Sequence, residues 1–68
     1  MSKGILTARE GEVFELLILN KSTKEISTYL GISEKTVRNH ISNVMQKMNV
    51  KGRSGAIIEL LKLGEINL

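Results

Sequence analysis

The stretch Ser22-Thr-Lys-Glu25-Ile26-Ser-Thr-Tyr29-Leu30-Gly31-Ile32-Ser33-Glu-Lys-Thr-Val37-Arg38-Asn39-His40-Ile41-Ser42 decides how this chain folds. Ser22 and Glu25 stand three apart, the spacing of a capping box. The serine hydroxyl can accept from the third helical N–H while the glutamate reaches back to the cap. That predicts a short helix over 23–30 with Ile26, Tyr29 and Leu30 inward. Gly31 ends it, because glycine alone enters the left-handed region without a steric penalty. Only Ile32 separates that glycine from Ser33, an N-cap for a longer helix over 34–48. In that helix Val37, Ile41, Val44, Met45 and Met48 recur at helical spacing and form one apolar stripe, with the methionines as core filler. A short helix, a glycine-bearing turn and a longer helix make the helix-turn-helix pattern. Many small helical proteins join two helices through a glycine, so the bare pattern leaves its use open.

Helices continue on both sides. Thr7-Ala-Arg-Glu10 is another capping box, with Leu6 placed to staple onto the next turn. It opens a helix over 8–19 with Val13, Phe14, Leu16 and Leu17 inward and Asn20 as a left-handed stop. Asn49-Val-Lys-Gly52 interrupts the pattern, and a fourth helix follows over 53–63, ended by Gly64. The chain has no proline, one tyrosine, one phenylalanine and no sustained alternation of apolar and polar residues. An all-α fold of four helices follows, with residues 1–68 as a single domain. A chain of 68 residues buries only about 60% of the surface its unfolded form exposes, so its core is thin. Cysteine is absent, which removes disulfides and thiolate metal sites, and self-association is the remaining staple. Met1-Ser-Lys-Gly4 leads into no long apolar run, so neither a signal peptide nor a membrane span is expected, and the default location is the cytoplasm.

The net charge of +3 is unevenly spread. Residues 21–53 hold Lys21, Lys24, Lys35, Arg38, Lys47, Lys51 and Arg53 against Glu25 and Glu34, a net of +5. The segments before and after each carry −1. A basic middle between acidic ends suits one polyanion-facing surface, although a merely solvated face would carry charge as well.

The third helix sharpens that choice. Opposite its apolar stripe lie Lys35, Asn39, Ser42 and Gln46, with Arg38 on the flank. Lysine and arginine pair with guanine edges, asparagine with adenine, and serine with either, so Lys35, Arg38, Asn39 and Ser42 are the candidate base-reading residues. The N-terminal part of the second helix of such a motif is the part that enters the major groove. A solvated face ordinarily mixes glutamate with lysine at i,i+4. Residues 35–48 contain no acid at all. Ser22, Thr23 and Lys24 gather at the start of the second helix, and Ser33, Lys35 and Thr36 at the start of the third. Helix N-termini with hydroxyls and lysines suit phosphate contacts, which position a protein without reading sequence. For the serines, simple capping is the alternative use. His40 sits at the edge of the stripe, where it packs or touches a phosphate; Lys47 is the remaining phosphate candidate. One histidine without cysteine builds no metal site, and no cofactor is called for.

The fourth helix is apolar around more than half its circumference, through Ala56, Ile57, Ile58, Leu60, Leu61 and Leu63, with Ile66 and Leu68 beyond. A helix on the edge of a small domain needs a much narrower stripe. The surplus points to a two-fold homodimer through Ile57, Ile58, Leu60 and Leu61, against the alternative of scattered exposed aliphatics.

These residues together resemble the LuxR-type helix-turn-helix regulators. The likeness rests on Leu6-Thr7-x-Arg9-Glu10-x-Glu12-Val13, Lys24-Glu25-Ile26, Leu30-x-Ile32-Ser33-x-Lys35-Thr36-Val37, His40, Lys47 and Arg53, and it spans about residues 5–64. It implies a four-helix DNA-binding domain that dimerises through the last helix, sets the third helix in the major groove of double-stranded DNA and regulates transcription from paired promoter half-sites. RNA polymerase is the further partner implied, and the nucleoid the place of action. The family's groove-reading positions fall on Arg38, Asn39 and Ser42, and its strap between the first helix and the segment before the last would join Glu10 to Arg53. Within the family, Ser33 to Asn43 together with Val50-Lys-Gly-Arg-Ser54 is most similar to a small regulator of spore-coat genes, which implies a role late in sporulation. Most members carry a receiver or ligand-binding domain ahead of this one. Sixty-eight residues leave no room for either, so abundance is the simplest switch within this polypeptide. Ser27 departs from the family, standing where an alanine is usual, and Asn20 where a glycine is frequent.

Other readings are weaker. An enzyme lacks support: there is no Cys, no Asp, one His and no glycine-rich loop leading into a helix. A membrane-surface helix would carry a basic face, whereas the fourth helix sets one lysine against one glutamate. A protein-interaction module would leave Lys35, Arg38 and Asn39 without a purpose.

Overall fold

The computed structural model describes residues 5–67; Met1 to Gly4 and Leu68 lie outside the described residues. Four helices follow one another: α1 (Ala8–Ile18), α2 (Thr23–Leu30), α3 (Glu34–Met48) and α4 (Arg53–Lys62). Described residues form no strand. No helix among them is long and apolar enough to cross a membrane.

Both expected capping boxes form. The Thr7 N–H donates to Glu10 Oε1 at 3.0 Å and the Glu10 N–H to Thr7 Oγ1 at 3.1 Å. At α2 the Ser22 N–H donates to Glu25 Oε1 at 2.9 Å, and the Glu25 N–H to Ser22 Oγ at 3.0 Å. α3 is capped by Ser33, whose Oγ accepts from the Thr36 N–H at 3.0 Å. Each cap satisfies one or two of the four N–H groups that a helix start leaves unpaired.

The four C-termini share one device. The N–H groups of Lys21, Ile32, Val50 and Glu65 each reach the carbonyl five residues back, on Leu16, Ser27, Met45 and Leu60. This is the Schellman closure, and it needs a left-handed residue one place earlier. Asn20, Gly31, Asn49 and Gly64 fill that place, with φ of 66°, 71°, 56° and 73°. α1 and α4 therefore end at Ile18 and Lys62, one residue short of the expected bounds, with Leu19 and Leu63 turning out of the helix. At Gly31 nothing lies within 4 Å of where a Cβ would sit, so a side chain there meets only backbone strain. Gly31→Ala is expected to cost about 1–2 kcal/mol, read as a lower urea midpoint with an unchanged m-value.

α3 is the central element and packs on the other three helices. Val37, Ile41 and Val44 meet Val13 and Phe14 of α1, Ile26 of α2, and Ala56 and Leu60 of α4 in one core, which Ile66 closes from the tail. Leu16, Leu17, Leu30, Met45 and Met48 pack around it half-buried. One expected core position is corrected: Tyr29 is exposed, and Ser27 is buried in its stead. α3 packs along the side of α2 defined by Ile26, Ser27 and Leu30, which leaves Tyr29 on the flank. The buried Ser27 hydroxyl donates to the Lys24 carbonyl at 2.8 Å, so a small polar side chain serves where alanine is usual.

Candidate nucleic-acid interface

Burying Val37, Ile41 and Val44 fixes the rotation of α3 and thereby decides which side chains face solvent. Lys35, Arg38, Asn39 and Ser42, the four residues expected to read bases, are all exposed. Asn43 and Gln46 are exposed on the same helix. Asn43, which the sequence reading passed over, follows Asn39 by four residues, so the two amides stand one turn apart on the same side. The signal for it was present in that spacing.

Arg38 is not unattended. Its guanidinium lies 3.5 Å from the Glu34 carboxylate, one turn earlier, with both side chains about half exposed. An exposed i,i+4 pair contributes only about 0.3–0.5 kcal/mol, so a base edge or phosphate competes with it easily. Until then it holds the arginine along the helix.

The hydroxyls at the helix starts are already partly used. Ser22 Oγ accepts from the Glu25 N–H, and its hydrogen remains available. Ser33 Oγ both accepts from the Thr36 N–H and donates to Thr36 Oγ1 at 2.9 Å. The outward donor at the start of α3 is then the Thr36 hydroxyl, with Ser33 fixing its orientation. Lys24 is exposed and Thr23 half-buried at the start of α2. His40 is half-buried on α3, facing no ion-pair partner among the described residues.

Two of the expected contacts are redirected. The Lys47 ammonium is bonded to the Glu10 carboxylate and to the Ile5 carbonyl, the latter at 3.0 Å. A lysine held this way ties α1 to the last turn of α3, and a phosphate would have to compete with Glu10 for it. The same pair replaces the expected strap from Glu10 to Arg53, since Arg53 is exposed and without an ion pair among the described residues. Glu10 is buried and cannot stay charged without a partner. Burial pushes its carboxyl up, but the Lys47 hydrogen bond and charge and the bonds from Thr7 together outweigh this and hold it below its ordinary value. Glu25 is also held low, chiefly by the Ser22 N–H that it accepts.

On α4 Ala56 and Leu60 are buried, Ile57 and Leu61 half-buried, and Ile58 exposed. Leu60 thus serves this chain's own core and drops out of the outward apolar face. Leu63 joins Ile58 among the exposed large apolar side chains there.

Comparison with known proteins agrees with this geometry. The model of the family described as "Bacterial regulatory proteins, luxR family" matches residues 4–60. Spore germination protein GerE of Bacillus subtilis (strain 168) is 67% identical over 67 residues, covering 98% of this chain and 90% of that protein. Transcriptional regulatory protein DegU of Brevibacillus brevis is 48% identical over 64 residues, which cover 94% of this chain but only 27% of DegU. The solved structure titled "Structure of Transcription factor, GerE" superposes with a TM-score of 0.93 at 62% identity, covering 96% of this chain and 97% of that one. The family match over residues 4–60 and the four-helix frame shared with GerE place the chain in the luxR family of bacterial regulatory proteins, as a DNA-binding transcription regulator and not an enzyme.

Proposed function

We propose that the chain binds paired promoter half-sites as a homodimer and regulates sporulation genes. Residues 1–68 act as one DNA-binding domain. α3 enters the major groove, where Arg38, Asn39, Ser42 and Lys35 read base edges and Asn43 extends the row. Lys24, Thr23 and Ser22 at the start of α2, with Thr36, Ser33 and His40 on α3, contact phosphates. Ile57, Ile58 and Leu61 of α4, with Leu63 at its C-cap, meet the same residues of a second copy. The dimer acts in the cytoplasm on the nucleoid and hands its effect to RNA polymerase.

One observation carries this reading: the N-terminal half of α3 is buried along Val37 and Ile41 and exposes Lys35, Arg38, Asn39 and Ser42 on its other side. The name of the Bacillus subtilis relative supplies the sporulation context. Two-fold pairing of half-sites fits an α4 that leaves Ile58 and Leu63 exposed on a chain with so thin a core.

A salt titration of DNA binding tests it. Affinity for a paired site is expected to fall with a log–log slope of about −0.9 per neutralised phosphate. A single half-site should give a shallower slope and weaker binding, because one protomer then lacks its contacts. Binding without salt dependence, or equal binding to paired and single sites, counts against the proposal.

A further inference from the structure

Among the described residues the exposed large apolar side chains fall in two places. Ile58 belongs to α4, and Leu63 caps it. Leu19, 64% exposed, and Tyr29, 77% exposed, lie at the corner where α1 hands over to α2. Neither takes part in the DNA face or in α4.

With Leu16 they form an apolar ridge between two hollows. On one side is an open groove of about 550 Å³, lined beyond the ridge by Ile26 and Thr28 and by Lys21, Lys24 and Glu25. On the other is a smaller hollow of about 300 Å³, rimmed by Glu12 and Glu15. The ridge therefore has a basic flank and an acidic flank. Glu12 is already paired with Arg9 at 3.2 Å. Glu15 and Lys21 have no ion pair among the described residues. Glu25, on the basic side, accepts the Ser22 N–H, keeps its charge and feels that of Lys21, so with Lys24 this flank carries a net +1.

This charge pattern selects the partner. A uniformly acidic surface would be repelled by the Glu12–Glu15 flank, and a uniformly basic one by Lys21 and Lys24. A surface with opposite charges on either side of an apolar strip is complementary to itself. A two-fold axis through the strip sets the acidic flank of each copy against the basic flank of the other. It also buries each copy's Tyr29 in the contact, and tyrosine is among the side chains that anchor interfaces. We propose that the Leu16–Leu19–Tyr29 ridge docks the same ridge of a second copy of this chain, with Glu15 of each copy facing Lys21 of the other. Lys24 stays with the DNA. The contact is separate from α4 and needs no DNA to form, so it stands or falls apart from the function proposed above.

Residue-resolved NMR on the DNA-free protein over a dilution series tests it. Amide signals of Glu15, Leu19, Lys21 and Tyr29 are expected to move with concentration as a group. Tyr29→Ser should abolish that movement, and because Tyr29 is exposed, the remaining spectrum reports an intact fold. Glu15→Lys sets like charges together and should weaken the association about tenfold. Glu15→Lys combined with Lys21→Glu exchanges the flanks and should restore it. The proposal is overturned if those four signals stay fixed up to about 1 mM, the range of the weakest specific contacts. That result would give the groove to a different partner. It is equally overturned if the association ignores Glu15→Lys, or if the double exchange fails to rescue.

Discussion

Arg38→Ala is expected to weaken binding to a paired site between about 30-fold and about 20,000-fold and to relax the preference at one base position in each half-site. The range follows from about 1–3 kcal/mol per bidentate arginine contact, counted once for each protomer. Arg38 leaves the apolar stripe on the flank of α3 and is about half exposed, so its truncation opens no cavity. Its one ion-pair partner among the described residues is Glu34 at 3.5 Å, whose loss costs the fold about a few tenths of a kcal/mol. Stability and binding are thus separable at this position. Lys24→Ala provides the contrast. It should weaken all sequences alike and flatten the salt slope by about one unit per contact, leaving base preference unchanged. The check is a binding titration against a panel of single-base variants of one half-site. An Arg38→Ala protein that keeps its full preference would show that the recognition face lies elsewhere on α3.

The largest expected effect on stability comes from Lys47→Met. Lys47 is the charged partner of a buried carboxylate, and removing one member of a buried pair costs about 3–5 kcal/mol. The lysine side chain is 37% exposed while that of Glu10 is 4% exposed, so water partly screens one end and about 2–3 kcal/mol is the expected loss. A domain of this length has on the order of 3–10 kcal/mol in total, so the variant sits close to unfolding. Urea midpoints at neutral pH measure it. The pH dependence adds a sign. In the parent chain Glu10 titrates below its ordinary value of 4.5, so its contribution is whole above about pH 5 and fades as pH falls through that value and lower. Without Lys47 the carboxyl loses its charge partner and moves up, while the Thr7 bonds still oppose burial. Its contribution at neutral pH shrinks, so the loss of stability on acidification shrinks with it. A flattened slope between about pH 4 and pH 6 distinguishes a lost charge partner from a lost methylene stem.

The helix boundaries were legible because their signals are local. Thr7 with Glu10, Ser22 with Glu25, Ser33, and the left-handed Asn20, Gly31 and Gly64 each act within a few residues of their own position. The outward face of α3 was legible for a related reason. Fifteen residues give the apolar stripe enough turns to fix the helix rotation, and Arg38 and Asn39 then point outward of necessity. Tyr29 was misplaced because α2 has eight residues, little more than two turns, and a tyrosine completes an apolar stripe as readily as it leaves one. The partner of Glu10 was also misplaced. Lys47 and Arg53 are both cations far along the sequence, and only the packing of α1 against the last turn of α3 brings one of them to the carboxylate. Hydrogen bonds within one turn can be read from spacing, whereas ion pairs between helices depend on how the helices cross.

The bond from Lys47 to the Ile5 carbonyl sets where a preceding stretch of polypeptide can join this fold. Lys47 follows Arg38 by nine residues on α3, about 13 Å further along the helix axis. A sensor unit attached ahead of residue 5 would arrive at the end of α3 remote from Arg38 and the other residues proposed to read bases, and could vary in size or shape without crowding the duplex. Regulators such as DegU, of which this chain matches 27%, have room for such an attachment. The lysine bond thus fixes residue 5 at the far end of α3 from Arg38.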